Sequence, residues 1–174
     1  KGVFGRLFEG NPAMLWKYLQ EIAVLLSLAL ALTPAFKMKF WNCGGEGQVM
    51  VGSLIAAMMM FFVGDGLSLP LLLGITVVLS TIIGGIWGLI PAIFKAKWNI
   101  NETLFTLMMN YIAQSLVSLC ITIWVKSGSG VLAPISYGNI PDIGNKYLLP
   151  IILFVVITIL MHVYLRSSKH GYEI

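Results

Sequence analysis

Five long apolar runs, separated by short polar segments, dominate this sequence. When helical, about 20 apolar residues span the hydrocarbon core of a bilayer. A helix also pairs its backbone groups internally, which hydrocarbon requires. The pattern therefore predicts an all-α fold, a polytopic helical membrane protein with about five transmembrane helices. The predicted spans cover residues 19–36, 48–63, 67–94, 103–125 and 148–165.

The composition supports a membrane environment for the whole chain. Hydrophobic residues make up 58% and charged residues 10% of the 174 residues, whereas soluble domains are about 45–50% apolar and about 25% charged. The net charge is +4, but the basic residues lie singly in loops, which excludes a nucleic-acid surface. We expect one transmembrane domain over residues 1–174, with the lipid bilayer as its solvent. Because the sequence begins without Met and stops after a polar turn, we expect it to be truncated at both ends.

No catalytic constellation is present in the sequence. The glycine-rich segment at residues 44–47 lacks the lysine and the flanking strand of a phosphate-binding loop. No His, Cys or carboxylate cluster has metal-ligand spacing, so we predict no metal, no cofactor and no enzymatic activity. If the protein moves a solute uphill, another subunit must supply the energy.

The informative residues are the polar ones that lipid penalises. Glu46 and Gln48 open the second run, which is short and is therefore expected to start below the surface of the protein. A carboxylate at membrane depth costs several kcal/mol unless it is paired or hydrated. Glu46 is either a capping carboxylate at a helix start or a polar group that lines a pathway.

A second polar group lies in the middle of the fourth run. Asn110 and Gln114 are four residues apart and share one helix face. Such residues either form interhelical hydrogen bonds or line a water-filled cavity that contacts a polar solute. Two further local predictions are that Asn101 caps the fourth helix and that Gly84 and Gly88 let helices pack closely.

Three segments, in order along the chain, carry a family resemblance. Residues 40–48 read FWNCGGEGQ and resemble the "FNIGxEGQ" signature, with Trp41 where the pattern has Phe. Residues 101–113 resemble an "NEV…MLNYIA" segment, and residues 168–174 resemble the "TxxGYEL" entry into a cytoplasmic coupling loop. These are signatures of permease subunits of ATP-binding-cassette importers, in the nucleoside and simple-sugar branch that is related to the branched-chain amino-acid permeases.

The resemblance implies a multi-pass permease of the bacterial plasma (inner) membrane, of which this chain would be one half. It implies a translocation pathway for a nucleoside or simple sugar, or alternatively for a branched-chain amino acid. The implied partners are a pair of ATP-binding subunits, a second permease subunit and an extracytoplasmic solute-binding protein. The polar residues expected to line the pathway or to hold it in place are Asn42, Glu46, Gln48, Asn110, Tyr111 and Gln114. The implied start of the coupling loop is Gly171, Tyr172 and Glu173.

A fragment of an ion-coupled secondary transporter is the alternative from another class. Such a protein needs ionisable groups in the middle of its spans. The sequence has few of them, because Glu46 lies at the edge of a run and Asp65 lies in a turn.

Overall fold

The computed structural model describes residues 12–125, 132, 137–138 and 147–167. Within these residues the chain forms five helices: α1 (Pro12–Lys37), α2 (Gly45–Phe62), α3 (Leu69–Trp98), α4 (Glu102–Trp124) and α5 (Leu148–Ser167). Each contains a segment long and apolar enough to cross a membrane. The structure therefore confirms the all-α fold with five transmembrane helices.

The chain divides into two compact units. One unit contains α1 and α5, which pack against each other along an apolar groove. Thr33 and Thr158 lie in this groove, but each hydroxyl donates to a backbone carbonyl four residues earlier. Because these hydroxyls are satisfied within their own helices, the groove presents no free polar group from them.

The other unit spans residues 40–140 and contains α2, α3 and α4. In this unit α2 packs against both of its neighbours. Many large apolar side chains of the three helices are exposed, among them Val77, Leu104 and Ile123. Lipid solvates such surfaces, so the outward faces of these helices suit a hydrocarbon environment.

Glycines of α3 allow the close approach of α2. A Cβ placed on Gly84 would lie 3.5 Å from the Gln48 carbonyl oxygen, and one on Gly88 would overlap the Gln48 side chain. Gly85, between them in sequence, faces open space. This arrangement confirms the prediction that Gly84 and Gly88 pack helices together.

The connection between α3 and α4 is closed by local hydrogen bonds and one ion pair. Asn99 ends α3 in the left-handed conformation (φ 50°), and its amide donates to the Lys95 carbonyl. Asn101 accepts the Leu104 amide proton at 3.1 Å, as predicted for a cap. The Lys95 ammonium lies 2.8 Å from the Glu102 carboxylate, so the charge at the start of α4 is neutralised.

The turn between α2 and α3 receives a residue from the segment that follows α4. The Tyr137 hydroxyl donates to the Asp65 carboxylate at 2.8 Å, and Gly64 lies against the Tyr137 side chain. The carboxylate accepts a hydrogen bond from the phenol, and its negative charge disfavours the phenolate. Both effects raise the pKa of Tyr137. This contact fixes the described part of the segment to the end of the α2–α3 hairpin.

Candidate functional site

Helix α2 begins partway along its neighbours α3 and α4, not level with their ends. Its first turn is hydrogen-bonded to Asn110, which lies eight residues after the start of α4, or about 12 Å along the helix axis. On the other side Gln48 meets Gly88, ten residues before the end of α3, or about 15 Å. The prediction that the second span starts below the surface of the protein is confirmed.

A helix start at this depth needs acceptors for its free backbone amides. The N-cap residue, Gly44, has no side chain to supply one. Asn110 supplies it from α4, because its Oδ1 accepts the Gly47 amide proton at 2.9 Å. Its Nδ2 donates to the Cys43 carbonyl at 3.0 Å. These two bonds use both polar atoms of the amide and fix its orientation.

Two further side chains complete the entry into α2. Asn42 is buried, and its Oδ1 accepts the Gly44 amide proton at 2.9 Å. Thr106 is fully buried, and its Oγ1 accepts the Cys43 amide proton at 3.1 Å. The same hydroxyl lies 2.8 Å from the Glu102 carbonyl oxygen, to which it donates.

Together these residues form a single line of polar contacts along α4. Glu102, Thr106 and Asn110 follow each other at intervals of four residues, so they lie on one face. The Lys95 side chain and neighbouring backbone lower the pKa of Glu102, at the start of this line. We refer to Asn42, Glu102, Thr106 and Asn110 as the α2 clamp.

The hydroxyl of Thr106 is expected to stabilise the clamp measurably. In Thr106→Val the shape is retained but the Cys43 amide loses its acceptor, which should lower the free energy of unfolding by about 1–2 kcal/mol. Denaturation of the purified protein in detergent measures this change. Thr81→Val is the control, because its hydroxyl is exposed and bonds only to the Val77 carbonyl. Equal stability of the two variants would contradict the role given to Thr106.

Beside the clamp lies a pocket of about 170 Å³ between α2 and α4. Four residues singled out in the sequence meet around it, Glu46, Asn110, Tyr111 and Gln114, and Met50 and Leu107 complete the lining. We call it the Glu46 pocket. Glu46 is exposed in the first turn of α2, and Tyr111 is 70% exposed.

The carboxylate of Glu46 has no ion-pair partner among the described residues. Lys95, one of two lysines in the last turn of α3, is paired with Glu102. The polar surface continues from Gln114 along α4 as an open groove, whose lining also includes Ser115, Ser118, Leu119 and Thr122. An amide and three hydroxyl groups are thus exposed along a helix that is otherwise apolar on its outside.

The remaining candidates lie elsewhere. Gln48 faces Gly88 on α3 and does not line the Glu46 pocket, whereas Asn42 belongs to the clamp. Gly171, Tyr172 and Glu173 lie outside the described residues. In the part of the chain that the structure describes, no group of three His, Cys, Asp or Glu residues is arranged to hold a metal ion.

Several proteins of known role are similar in sequence to this chain. The guanosine ABC transporter permease protein NupP of Bacillus subtilis is 32% identical over 70% of this chain and 33% of its own length. The glucose ABC transporter permease protein TsgB13 of Haloferax volcanii is 34% identical over 62% of this chain and 28% of its own length. The nucleoside ABC transporter permease protein NupB of Lactococcus lactis is 29% identical over 59% of this chain and 28% of its own length.

These matches place the chain within a family. The chain spans about a third, or less, of the length of the relatives that it matches. No solved structure matches it significantly. A family model described as "Branched-chain amino acid transport system / permease component" matches residues 14–174. Since that match covers nearly the whole sequence and the five helices suit a bilayer, this multi-pass membrane protein belongs to that permease family.

Proposed function

We propose that this chain forms part of the translocation pathway in the permease subunit of an ATP-binding-cassette importer. The proposed solute is a nucleoside or a simple sugar, which are the solutes named for the similar permeases. The observation that carries the proposal is the unpaired Glu46 carboxylate, which lies with exposed polar groups at a recessed helix start.

The physical argument is the cost of a charge in hydrocarbon. A carboxylate that faces lipid costs several kcal/mol, so it is found where it is paired or hydrated. Glu46 has no cation beside it among the described residues, so the positive end of the α2 dipole and hydration are what remain to offset the cost. A water-filled passage along the Glu46 pocket and the groove of α4 provides that hydration.

The exposed groups of this surface suit a polar solute. The Gln114 amide can donate and accept, and the Tyr111 hydroxyl can do both. Neither side chain is used by a hydrogen bond within the described residues, in contrast to Asn110, which is held in the clamp. The free groups are therefore available to exchange hydrogen bonds with a passing solute.

The energy for uptake would come from partners. A pair of ATP-binding subunits would shift the balance between inward-open and outward-open packings, and would do so by binding the two states with different affinity. A second permease subunit would form the other side of the passage, and an extracytoplasmic solute-binding protein would deliver the solute. Gly171, Tyr172 and Glu173 would begin the loop that contacts the ATP-binding subunits.

The proposal is tested by solute uptake into proteoliposomes that contain the complete transporter. Glu46→Ala is expected to reduce guanosine or glucose uptake by about tenfold, equivalent to about 1.4 kcal/mol. Glu21→Ala is the control, because Glu21 is an exposed carboxylate of α1 that pairs with Lys17. Unchanged uptake by Glu46→Ala at normal protein level would remove Glu46 from the pathway.

The same assay separates the alternatives. Uptake that survives ATP depletion but stops when an ion gradient is dissipated would identify an ion-coupled transporter. Uptake of leucine or valine, without guanosine or glucose, would identify a branched-chain amino-acid permease, which is the activity in the family description.

A further inference from the structure

We propose that Glu46 acts as a charge filter, so that the Glu46 pocket admits uncharged, hydroxyl-bearing solutes and rejects anions. The inference rests on the proposed function, because it assumes that a solute passes this surface. It adds the chemical criterion by which the surface selects, and it separates nucleosides and sugars from their phosphate esters.

The first argument is the balance of charge around the passage. Glu46 is the only ionisable acid or base with a charge at neutral pH in the lining of the pocket. The adjoining groove along α4 is lined by an amide, hydroxyl groups and one leucine. A phosphate ester would bring its negative charge to a surface whose described lining has one negative charge and no Lys, Arg or His to pair with it.

The second argument concerns the start of α2, which would otherwise attract anions. A free helix N-terminus binds carboxylates and phosphates through its unpaired amides. Here the Gly44 amide is bonded to Asn42 and the Gly47 amide to Asn110. The clamp thus takes up amides that an anionic solute would need, and Glu46 adds a like charge in the same turn.

The third argument is the fit of a neutral solute. An ionised carboxylate is an acceptor only, so Glu46 seeks hydroxyl or N–H donors. Such charge-assisted bonds are roughly twice as strong as neutral ones. The pocket, at about 170 Å³, is smaller than the roughly 300–1,000 Å³ of sites for drug-sized ligands. It therefore accommodates a single ring, with Tyr111 exposed beside it, and the open groove leaves room for the remainder of the solute.

The charge can be measured directly with thiol reagents of opposite sign. Cys43 and Cys120 are first replaced by alanine in the complete transporter, together with any other native cysteines. Gln114→Cys then reports on the pocket, and Thr122→Cys reports on the same groove, eight residues further along α4. Each is treated with a cationic (trimethylammonioethyl) and an anionic (sulfonatoethyl) methanethiosulfonate, with Glu46 or with Glu46→Gln in the background.

With Glu46 present, Cys at position 114 should react faster with the cationic reagent than with the anionic one, after correction for their intrinsic rates. Glu46→Gln should reduce that preference by about tenfold, because the reagents then meet no charge nearby. At position 122 the substitution should have little effect, because the separation of about 12 Å exceeds the screening length. An unchanged preference at position 114 would overturn the charge filter.

Solute protection completes the test. Guanosine or glucose should slow the labelling of Cys at position 114, and guanosine 5′-monophosphate or glucose 6-phosphate at the same concentration should not. Equal protection by the phosphate esters would overturn the selectivity. Failure of the proposed function has a different signature, since a position 114 that reacts with neither reagent is not in contact with water and lies outside any passage.

Discussion

Asn110→Ala is expected to lower the free energy of unfolding by about 1–4 kcal/mol. The substitution leaves the Gly47 amide and the Cys43 carbonyl without partners at a helix start within the membrane layer. An unsatisfied backbone group costs about 1–3 kcal/mol when it is buried, as Gly47 is. The cost is smaller at Cys43, which is exposed and can bond to water instead. Thermal and denaturant unfolding of the protein in detergent measure the loss.

Two further variants make this expectation specific. Asn110→Asp retains an acceptor for the Gly47 amide but turns an oxygen towards the Cys43 carbonyl, so it should also be destabilising. Gln114→Ala removes the next amide on the same face, which makes no hydrogen bond within the described residues, and it should unfold like the unmodified protein. If Asn110→Ala were as stable as Gln114→Ala, the clamp would contribute nothing.

Gly47→Ala is expected to have the second large effect, a loss of about 2–4 kcal/mol, in the range of other overpacked sites. A Cβ at this position would lie 2.8 Å from Asn110 Oδ1, 3.1 Å from Asn110 Cα and 3.3 Å from the Met109 carbonyl oxygen. Two of these atoms belong to the backbone of α4 and cannot rotate away. The two helices must separate, and the hydrogen bond to Asn110 must lengthen.

Gly85→Ala is the matched control for that prediction. A Cβ there meets no atom within 4 Å, and alanine favours a helix over glycine by about 1 kcal/mol. The variant should therefore be at least as stable as the unmodified protein. Equal destabilisation by Gly47→Ala and Gly85→Ala would show that the contact between α2 and α4 is looser than the structure places it.

The helices could be predicted from the sequence because their cause is local. Each apolar run is long enough to cross hydrocarbon, and hydrocarbon leaves the backbone little alternative to a helix. The sequence also predicts that Asn110 and Gln114 lie on one face of their helix, because residues four apart are neighbours on a helix surface. It does not predict that this face contacts Glu46, because that contact depends on how α2 and α4 pack.

The α2 clamp shows why the rest of the site was hidden. Thr106 resembles any threonine in a membrane helix, whose hydroxyl bonds to its own backbone. Its second partner, the Cys43 amide, is 63 residues away, and no local pattern records it. The sequence signal for Thr106 is its spacing of four residues from both Glu102 and Asn110, which places the three residues on one helix face.

Glu46 and Gln48 illustrate the opposite case. They lie two residues apart in the sequence motif, and two residues turn a helix by about 200°. Glu46 consequently lines the pocket beside α4, and Gln48 meets Gly88 on α3.

The recessed start of α2 also bears on how the protein enters the bilayer during synthesis. With 18 residues and an acidic group in its first turn, α2 is a poor membrane anchor on its own. The residues that satisfy its first amides belong largely to α4, which emerges from the ribosome later. Until α4 arrives, α2 depends on its hairpin with the longer and more apolar α3. We therefore expect the second span to integrate stably only after the fourth has been made.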